Sequence, residues 1–394
     1  MWNQGRKHSS GDKTRGATGS GYALTVGLIS IVALAAVTGT GSNVTDLFGT
    51  VDNSLTETTG LSSSSGDGQS EEQQDPGLYA FTSHTFDNCG QTGRTGPSLS
   101  QCQTSYSPSG DWDENAAFFN MTTNDIQRWT VPATGTYRIQ ANGAQGAGAD
   151  LGVCGSFCDD SLAGGAGASM QGEFALTEGD VVQILVGQMG SGFGGPHGNE
   201  NGGGGGTFVV MADGTPLIIA GGGGGGPSST RGGSCVRDVS KGHGTSASTT
   251  ETFTCSSSVT AGSNGAGGTK FGSNYAGAAG GGLNGDGDNS LAHCGSGPSG
   301  GDSFTSGGQG GQEDSCYSEH PYTGHQPDGG FGGGGAGNLG GPGGGGGYVG
   351  GSTAGQWSSS STYGGGGAFF NSGSNPSDST GANTGHGSVV ITQL

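Results

Sequence analysis

The sequence predicts a mostly β fold, an antiparallel, jelly-roll-like β-sandwich with a bundle of polyglycine II helices, preceded by one long hydrophobic α-helix. Three observations predict it. Short segments of strand character recur after residue 77. Runs of four to six glycines separate them, and an apolar stretch of sixteen residues lies near the N-terminus.

Composition narrows the function classes. Of 394 residues, 95 are glycine, 29% are hydrophobic, and the formal charge is -20. Only 11 residues are Lys or Arg, too few for a surface that binds nucleic-acid phosphates. The acidic balance fits a secreted or cell-surface protein. We expect no cofactor, and the glycine runs do not indicate phosphate binding, because no Lys-Ser/Thr of a phosphate loop follows them.

The first 76 residues divide into a basic leader (1–16), an apolar and then amphipathic helix (17–56) and a Ser/Glu/Gln-rich linker (57–76). The apolar core, YALTVGLISIVALAAV, is shorter than the ~20 residues that span a bilayer. Its positive flank predicts a cytoplasmic start and export of the remainder, with the inner membrane as partner. A signal peptide cleaved near Thr38, or an uncleaved signal anchor, is the plain interpretation.

A second interpretation follows from the stretch RGATGSGYALTVGLISIVALAAVTGTGSNVTDLF. Its Gly-Ala-Thr, the Tyr that opens the apolar run and the Gly-Ser-Asn before Leu-Phe resemble the N-terminal helix of Flp-type (type IVb) pilins. In that family a peptidase cuts after a glycine, which makes Gly16 and Gly19 candidate processing sites. A Glu beside the Tyr serves subunit packing there, whereas Gly21 precedes Tyr22 here. The resemblance implies other pilin subunits as partners.

Residues 77–394 are expected to form the glycine-rich domain. Its strand segments are 78–86, 126–132, 135–144, 172–188, a hairpin over 205–222 and a last strand over 385–394. The Asp213-Gly214 pair marks the hairpin turn.

The glycine runs are either flexible linkers or packed rods. A buried rod of polyproline-II type has no internal hydrogen bonds, so its backbone must bond laterally to neighbouring rods. Only glycine allows backbones to approach so closely. The residues expected to pack are the ends of four runs: Gly202, Gly206, Gly221, Gly226, Gly332, Gly335, Gly343 and Gly347.

Eight cysteines all follow the apolar segment, which predicts disulfides formed in an oxidising compartment. Pairing of neighbours would join Cys89 with Cys102, Cys154 with Cys158, Cys235 with Cys255, and Cys294 with Cys316. Other connectivities remain open at this point.

The blocks TFDNCGQTGRTGPSLSQCQTSY, IQRWTVPATGTYRIQANGAQG, GEFALTEGDVVQILVGQMG, NGGGGGTFVVMADGTPLIIAGGGGGG, GGFGGGGAGNLGGPGGGGGYVGG and GHGSVVI follow one another over roughly 80–394. Together they resemble the extracellular glycine-rich domain of anaplastic lymphoma kinase and leukocyte tyrosine kinase receptors. The resemblance implies a β-sandwich with a polyglycine bundle, a protein ligand and a Cys89–Cys102 bridge. It carries no kinase, because the sequence has no VAIK-, HRD- or DFG-like set.

Three sets of residues could carry chemistry. Cys316, His320, His325 and Asp328 have loose metal-ligand character, although a disulfide beside exposed polar residues explains them better. Asp286 and Asp288 are typical of calcium-binding Gly-Asp turns, but an acidic surface loop is the simpler interpretation. Trp112 could stack on a sugar or simply pack on the sandwich.

No catalytic constellation occurs, so we expect no enzyme. The sequence predicts a bacterial cell-surface protein, structural and adhesive, that is a pilin-like subunit or anchored adhesin with a protein or glycan ligand. The alternative is a monomeric, membrane-anchored binding module. Ice binding is a third idea, for which regular Gly-x-x repeats are missing.

Overall fold

The computed structural model describes residues 77–394 apart from 108–111, 122–124, 149–162, 193–200, 227–242, 247–250, 254–256, 260–262, 273–275, 292–295, 315–326, 339–340 and 356–363. The predicted leader, helix and linker, with Gly16 and Gly19, lie outside these residues. Within the described part, no helix has the length and apolarity needed to cross a bilayer.

The elements are mostly strands. In chain order they are β1 (Ser83–Phe86), α1 (Leu99–Tyr106), β2 (Phe119–Asn120), β3 (Gln127–Thr130), β4 (Gly135–Asn142), β5 (Gly167–Leu176), β6 (Val181–Leu185), β7 (Thr207–Met211), β8 (Pro216–Ala220), β9 (Thr245–Ser246), β10 (Glu251–Phe253), β11 (Ser257–Val259), β12 (Lys270–Gly272), a 3-10 turn (Phe304–Ser306), β13 (Thr353–Gly355), β14 (Ala368–Asn371), β15 (Ser374–Asn383) and β16 (Ser388–Gln393).

Two sheets form the sandwich. One has the order β1-β16-β4-β5-β15 and is antiparallel throughout, and the other has the order β2-β3-β6-β7-β8-β14-β9, where only β14 and β9 pair in parallel. Alternation along β4 explains the packing, since Tyr137, Ile139 and Ala141 are fully buried while Arg138 points outward. These residues join Trp129, from the second sheet, in one shared hydrophobic core.

The hairpin predicted at Asp213-Gly214 is present and joins β7 to β8. Gly214 has a φ of +90°, a backbone conformation that glycine adopts without a steric penalty, and an Asp213 carboxylate oxygen accepts the Thr215 N–H at 2.9 Å. The predicted segment 172–188 is instead two strands, β5 and β6, because the chain reverses at Gly179, where φ is +83°.

The sandwich has two distinct ends. The turns between β5 and β6 and between β7 and β8 lie at the turn end, together with Leu78 and Leu394, whose N–H groups donate to Pro132 and Thr136. At the opposite end, the bundle end, the strands continue into glycine-rich segments. The eight residues of β4 connect the two ends over about 27 Å.

Candidate binding surface

Glycine-rich segments extend directly from strands of both sheets. Segments leave the bundle end after β4 and β8 and return to it before β5, β7 and β14. Together with three later segments they form what we call the glycine bundle: 143–148, 164–166, 201–206, 221–226, 276–282, 329–336, 341–347 and 364–367. Most of these residues are buried.

Segment 221–226 shows how the bundle is held together. Gly222 and Gly225 donate their N–H groups to Gly346 and Gly343, and Gly223 and Gly226 donate to Ala144 and Ala147. The carbonyls of 221–225 accept N–H groups from three further stretches of chain. The donors are Ala168 and Gly165 in the first, Gly367 and Gly364 in the second, and Gly204 in the third. Residues of 221–226 that bond to the same neighbouring segment are therefore three positions apart. In all, this segment is hydrogen-bonded to five neighbouring segments.

The spacing leaves no room for side chains. A Cβ built on Gly223 would lie 1.8 Å from the Gly165 carbonyl oxygen, and one on Gly224 would lie 1.9 Å from that of Gly364. Backbone atoms cannot move away as a side chain can. The run therefore requires glycine at each of these positions for packing reasons.

All eight predicted packing glycines lie in laterally bonded segments, and the Gly332 carbonyl accepts the Gly206 N–H. The expected rod over Gly332–Gly335 begins with a turn, because Gly332 and Gly333 have φ values of +99° and +81°. Both donate their N–H groups to the Gly308 carbonyl. A polyproline-II rod needs a φ near −75°, so only the later part of this run can extend.

A second apolar cluster attaches the glycine-rich region to the outer face of the seven-stranded sheet. Phe208 from β7 stacks on Phe304 at a centroid distance of 5.4 Å, and Phe331 is completely buried beside them. Tyr348 stacks on Phe370 from β14 at 4.9 Å. These aromatic residues next to glycine runs therefore anchor the bundle to the sandwich.

The far end of the bundle, which we call the distal end, is closed by polar side chains. Asn338 donates to the Ala276 carbonyl and to the Ser290 hydroxyl, and Asn201 donates to the Gly226 carbonyl. Leu291, which follows Ser290, is 53% exposed. Nothing in the sequence marked these residues, because isolated Asn and Ser residues are common in Gly-rich chain.

Trp112 is part of the core and does not form an exposed platform. It is 5% exposed and packs against Tyr79, Phe86 and Phe119. His84 lies edge-on to the rings of Phe86, Tyr106 and Trp112 at centroid distances of 4.5–4.9 Å. Burial among these rings lowers the pKa of His84 to about 4.

A disulfide joins Cys89 to Cys102. Cys102 lies on α1, a helix that was not predicted although Ser98 and Gln101 form the capping box that signals its start. The bridge fixes α1 beside the end of β1. The other six cysteines lie outside the described residues.

The acidic candidates serve as hydrogen-bond acceptors within the fold. Asp286 accepts the N–H and the hydroxyl of Ser303 at 2.7 and 2.8 Å, and Asp288 accepts the Lys270 N–H at 3.0 Å. Partial burial acts to raise the pKa of Asp286, but the hydrogen bonds from Ser303 and Ser306 together outweigh this effect, so the pKa lies below its usual value. These contacts favour the interpretation of an acidic surface loop.

Asp328 accepts the Glu313 N–H at 2.8 Å, and burial raises the pKa of its carboxyl group. Its proposed zinc partners Cys316, His320 and His325 lie outside the described residues. Among the residues that are described, no three metal-ligating side chains come together.

The outer face of the five-stranded sheet is polar. Arg138 on β4 pairs with Glu173 on β5 at 2.7 Å, and hydrogen bonds from Arg138 and Asn375 lower the pKa of the Glu173 carboxyl. The two charges neutralise each other. Such a face is typical of an antiparallel sheet with one solvated side.

Comparison with known proteins finds a partial match to a receptor. No protein-family model matches the chain. A stretch of 105 residues is 35% identical to the leukocyte tyrosine kinase receptor of Mus musculus. This stretch is 27% of the chain and 11% of the receptor. The match supports a distant link to that receptor family over the aligned part.

Proposed function

We propose that this protein is a structural and adhesive protein of the bacterial cell surface, in which residues 77–394 are displayed outside the cell and bind a protein or glycan ligand. The N-terminal segment 17–56 would anchor the domain in the inner membrane, as a pilin-like subunit or an anchored adhesin. The distal end would present the contact surface.

One observation carries the proposal: the chain enters the domain at the turn end, whereas the glycine bundle projects from the opposite end. A domain tethered through Leu78 can therefore present its distal end to a partner. Binding residues are commonly found on loops that a rigid scaffold positions.

The lateral hydrogen bonds support a rigid scaffold. A three-residue repeat is that of the polyproline-II conformation, so we infer that segments such as 221–226 are polyglycine II helices. Because every buried donor and acceptor needs a partner, bending one segment would break bonds to several neighbours.

The receptor match favours a second candidate, a monomeric anchored binding module. The aligned relative is named as a receptor, and a receptor's glycine-rich part could bind its ligand without any polymer. The two candidates share the exposed domain and differ in assembly, which electron microscopy of the sheared surface fraction would distinguish.

The test uses two exposed leucines as matched attachment sites. A clickable non-natural residue replaces Leu291 at the distal end or Leu394 at the turn end, and intact cells are labelled with a bulky polyethylene glycol. We expect both sites to be labelled, while attachment of the cells to glycan-coated or protein-coated surfaces falls only with the label at Leu291.

Two results would contradict the proposal. Labelling that requires cell lysis would exclude surface display. Equal loss of attachment from both positions, or no loss from either, would exclude the distal end as the contact surface.

A further inference from the structure

We infer that β1 is a mechanical clamp, which holds the domain folded when tension acts between its N-terminal tether and a partner bound at the distal end. This inference rests on the proposed display of the domain. It concerns how the fold transmits force, which the binding proposal leaves open.

The direction of β1 sets the loading geometry. β1 pairs antiparallel with β16, from Ser83 with Thr392 to Phe86 with Val389, and β16 pairs antiparallel with β4. β1 thus runs from the turn end towards the bundle end. A pull on Leu78 away from the bundle acts along the strand and across its hydrogen bonds, so all four residue pairs resist together.

Contacts around the clamp extend it at both ends. At the turn end, Leu78 donates to the Pro132 carbonyl and Thr82 accepts the Gln393 N–H at 2.9 Å. Along the strand, the Ser83 hydroxyl contacts the Thr392 hydroxyl at 2.9 Å and donates to Ile391. The side chain of Phe86, at the far end of the strand, is fully buried.

The disulfide next to β1 provides a second point of resistance to the pull. Cys89 follows β1 closely and is bonded to Cys102, which is fully buried on α1. The Tyr106 hydroxyl, on the same helix, donates to Gln127 of β3 at 2.7 Å. If β1 slides out, the force passes through the bridge to α1 without extending the residues between the two cysteines.

A different attachment gives a different response. Leu78 and Leu394 both lie at the turn end, so tension between them peels β1 from β16 one pair at a time. Peeling breaks hydrogen bonds in sequence and should need far less force than sliding. The same strand pair therefore resists strongly in one direction and weakly in the other.

Single-molecule force spectroscopy on the full chain tests the clamp, with clickable residues at Leu78, Leu291 and Leu394, which are exposed. Pulling between Leu78 and Leu291 should give a first peak at least about twofold higher in force than pulling between Leu78 and Leu394, because forced unfolding reports the barrier along the pulled direction. Equal first peaks would overturn the inference and would leave surface display untouched.

A second experiment removes the disulfide. In a Cys89→Ser/Cys102→Ser variant pulled between Leu78 and Leu291, the first extension should lengthen by roughly 40 Å, which is the contour of the 13 Cα–Cα steps from Cys89 to Cys102 less the 4.8 Å that the bridge already spans. An unchanged extension would show that force does not pass through the bridge. The comparison of pulling directions uses the native disulfide, so it holds even if this variant does not fold.

Discussion

The carbonyl oxygen of Gly165 lies 1.8 Å from the point where a Cβ on Gly223 would stand. The two residues belong to segments that approach the bundle end from different sheets, after β8 and before β5. Their contact is between backbones, which makes the bundle intolerant of even one methyl group.

Gly223→Ala should therefore destabilise the domain by at least about 1–3 kcal/mol, the usual cost of overpacking. Gly135→Ala is the matched control, because its Cβ would meet nothing closer than 3.8 Å. Chemical denaturation of both variants measures the difference. Two variants that unfold like the wild type would mean that the run is a spacer.

Stability should fall as the pH is lowered through the range set by His84. The folded-state pKa is about 4, below the unfolded value of 6.5, so the unfolded chain takes up the proton first. The full stability is present above about pH 6.5 and is lost as the pH falls towards 4. Allowing for partial exposure, the loss is about 1–3 kcal/mol.

His84→Phe keeps the ring contacts and removes the titration, so its free energy of unfolding should differ less between pH 7 and pH 4.5. His386 is the control residue. Burial lowers its pKa too, but its Nδ1 accepts the Met189 N–H. An identical pH dependence in wild type and His84→Phe would rule out His84 as its source.

All eight cysteines should be oxidised in the exported protein, because cross-links of ~2–4 kcal/mol each help a chain with so few large side chains. Thiol titration of the denatured, unreduced protein should detect none. Two or more free thiols together with bound zinc would restore the metal set of Cys316, His320, His325 and Asp328.

Asp286→Ala should lower stability by about 1 kcal/mol, because the Ser303 N–H and hydroxyl both lose their acceptor. Asp286→Asn keeps an oxygen acceptor and should lose less. Added calcium should leave the melting temperature of the wild type unchanged relative to a chelator. A calcium-dependent rise that Asp286→Ala abolishes would instead identify a calcium site.

Local patterns in the sequence located eight of the 16 strands in the described part of the chain: β1, β3 to β8 and β16. The alternation over 135–144 and the Asp-Gly turn between β7 and β8 follow from side-chain burial on one face and from glycine's access to positive φ. β15 was not predicted, because it lies at the edge of the five-stranded sheet and is almost wholly exposed. It therefore lacks the buried apolar residues that alternate with polar ones in a half-buried strand. α1 carried a readable signal in its capping box.

The candidate surface was less predictable. The packing glycines predicted from the sequence lie in four of the eight bundle segments. The sequence did not indicate that Gly332 opens a turn or that Asn201, Ser290 and Asn338 close the distal end. A glycine has no side chain whose polarity or size could specify a neighbour, so no periodic pattern encodes which segments meet.

The sequence by itself determined half of the strand-forming segments, the requirement for lateral backbone partners in any buried glycine run, and the acidic balance of the chain. Only the tertiary structure decided that 221–226 bonds to five other segments and that the bundle projects opposite the turn end. The physical reason is that side-chain patterning acts locally along the chain. Lateral backbone hydrogen bonds instead join residues far apart in sequence and form only when the sandwich has brought the ends of its strands together.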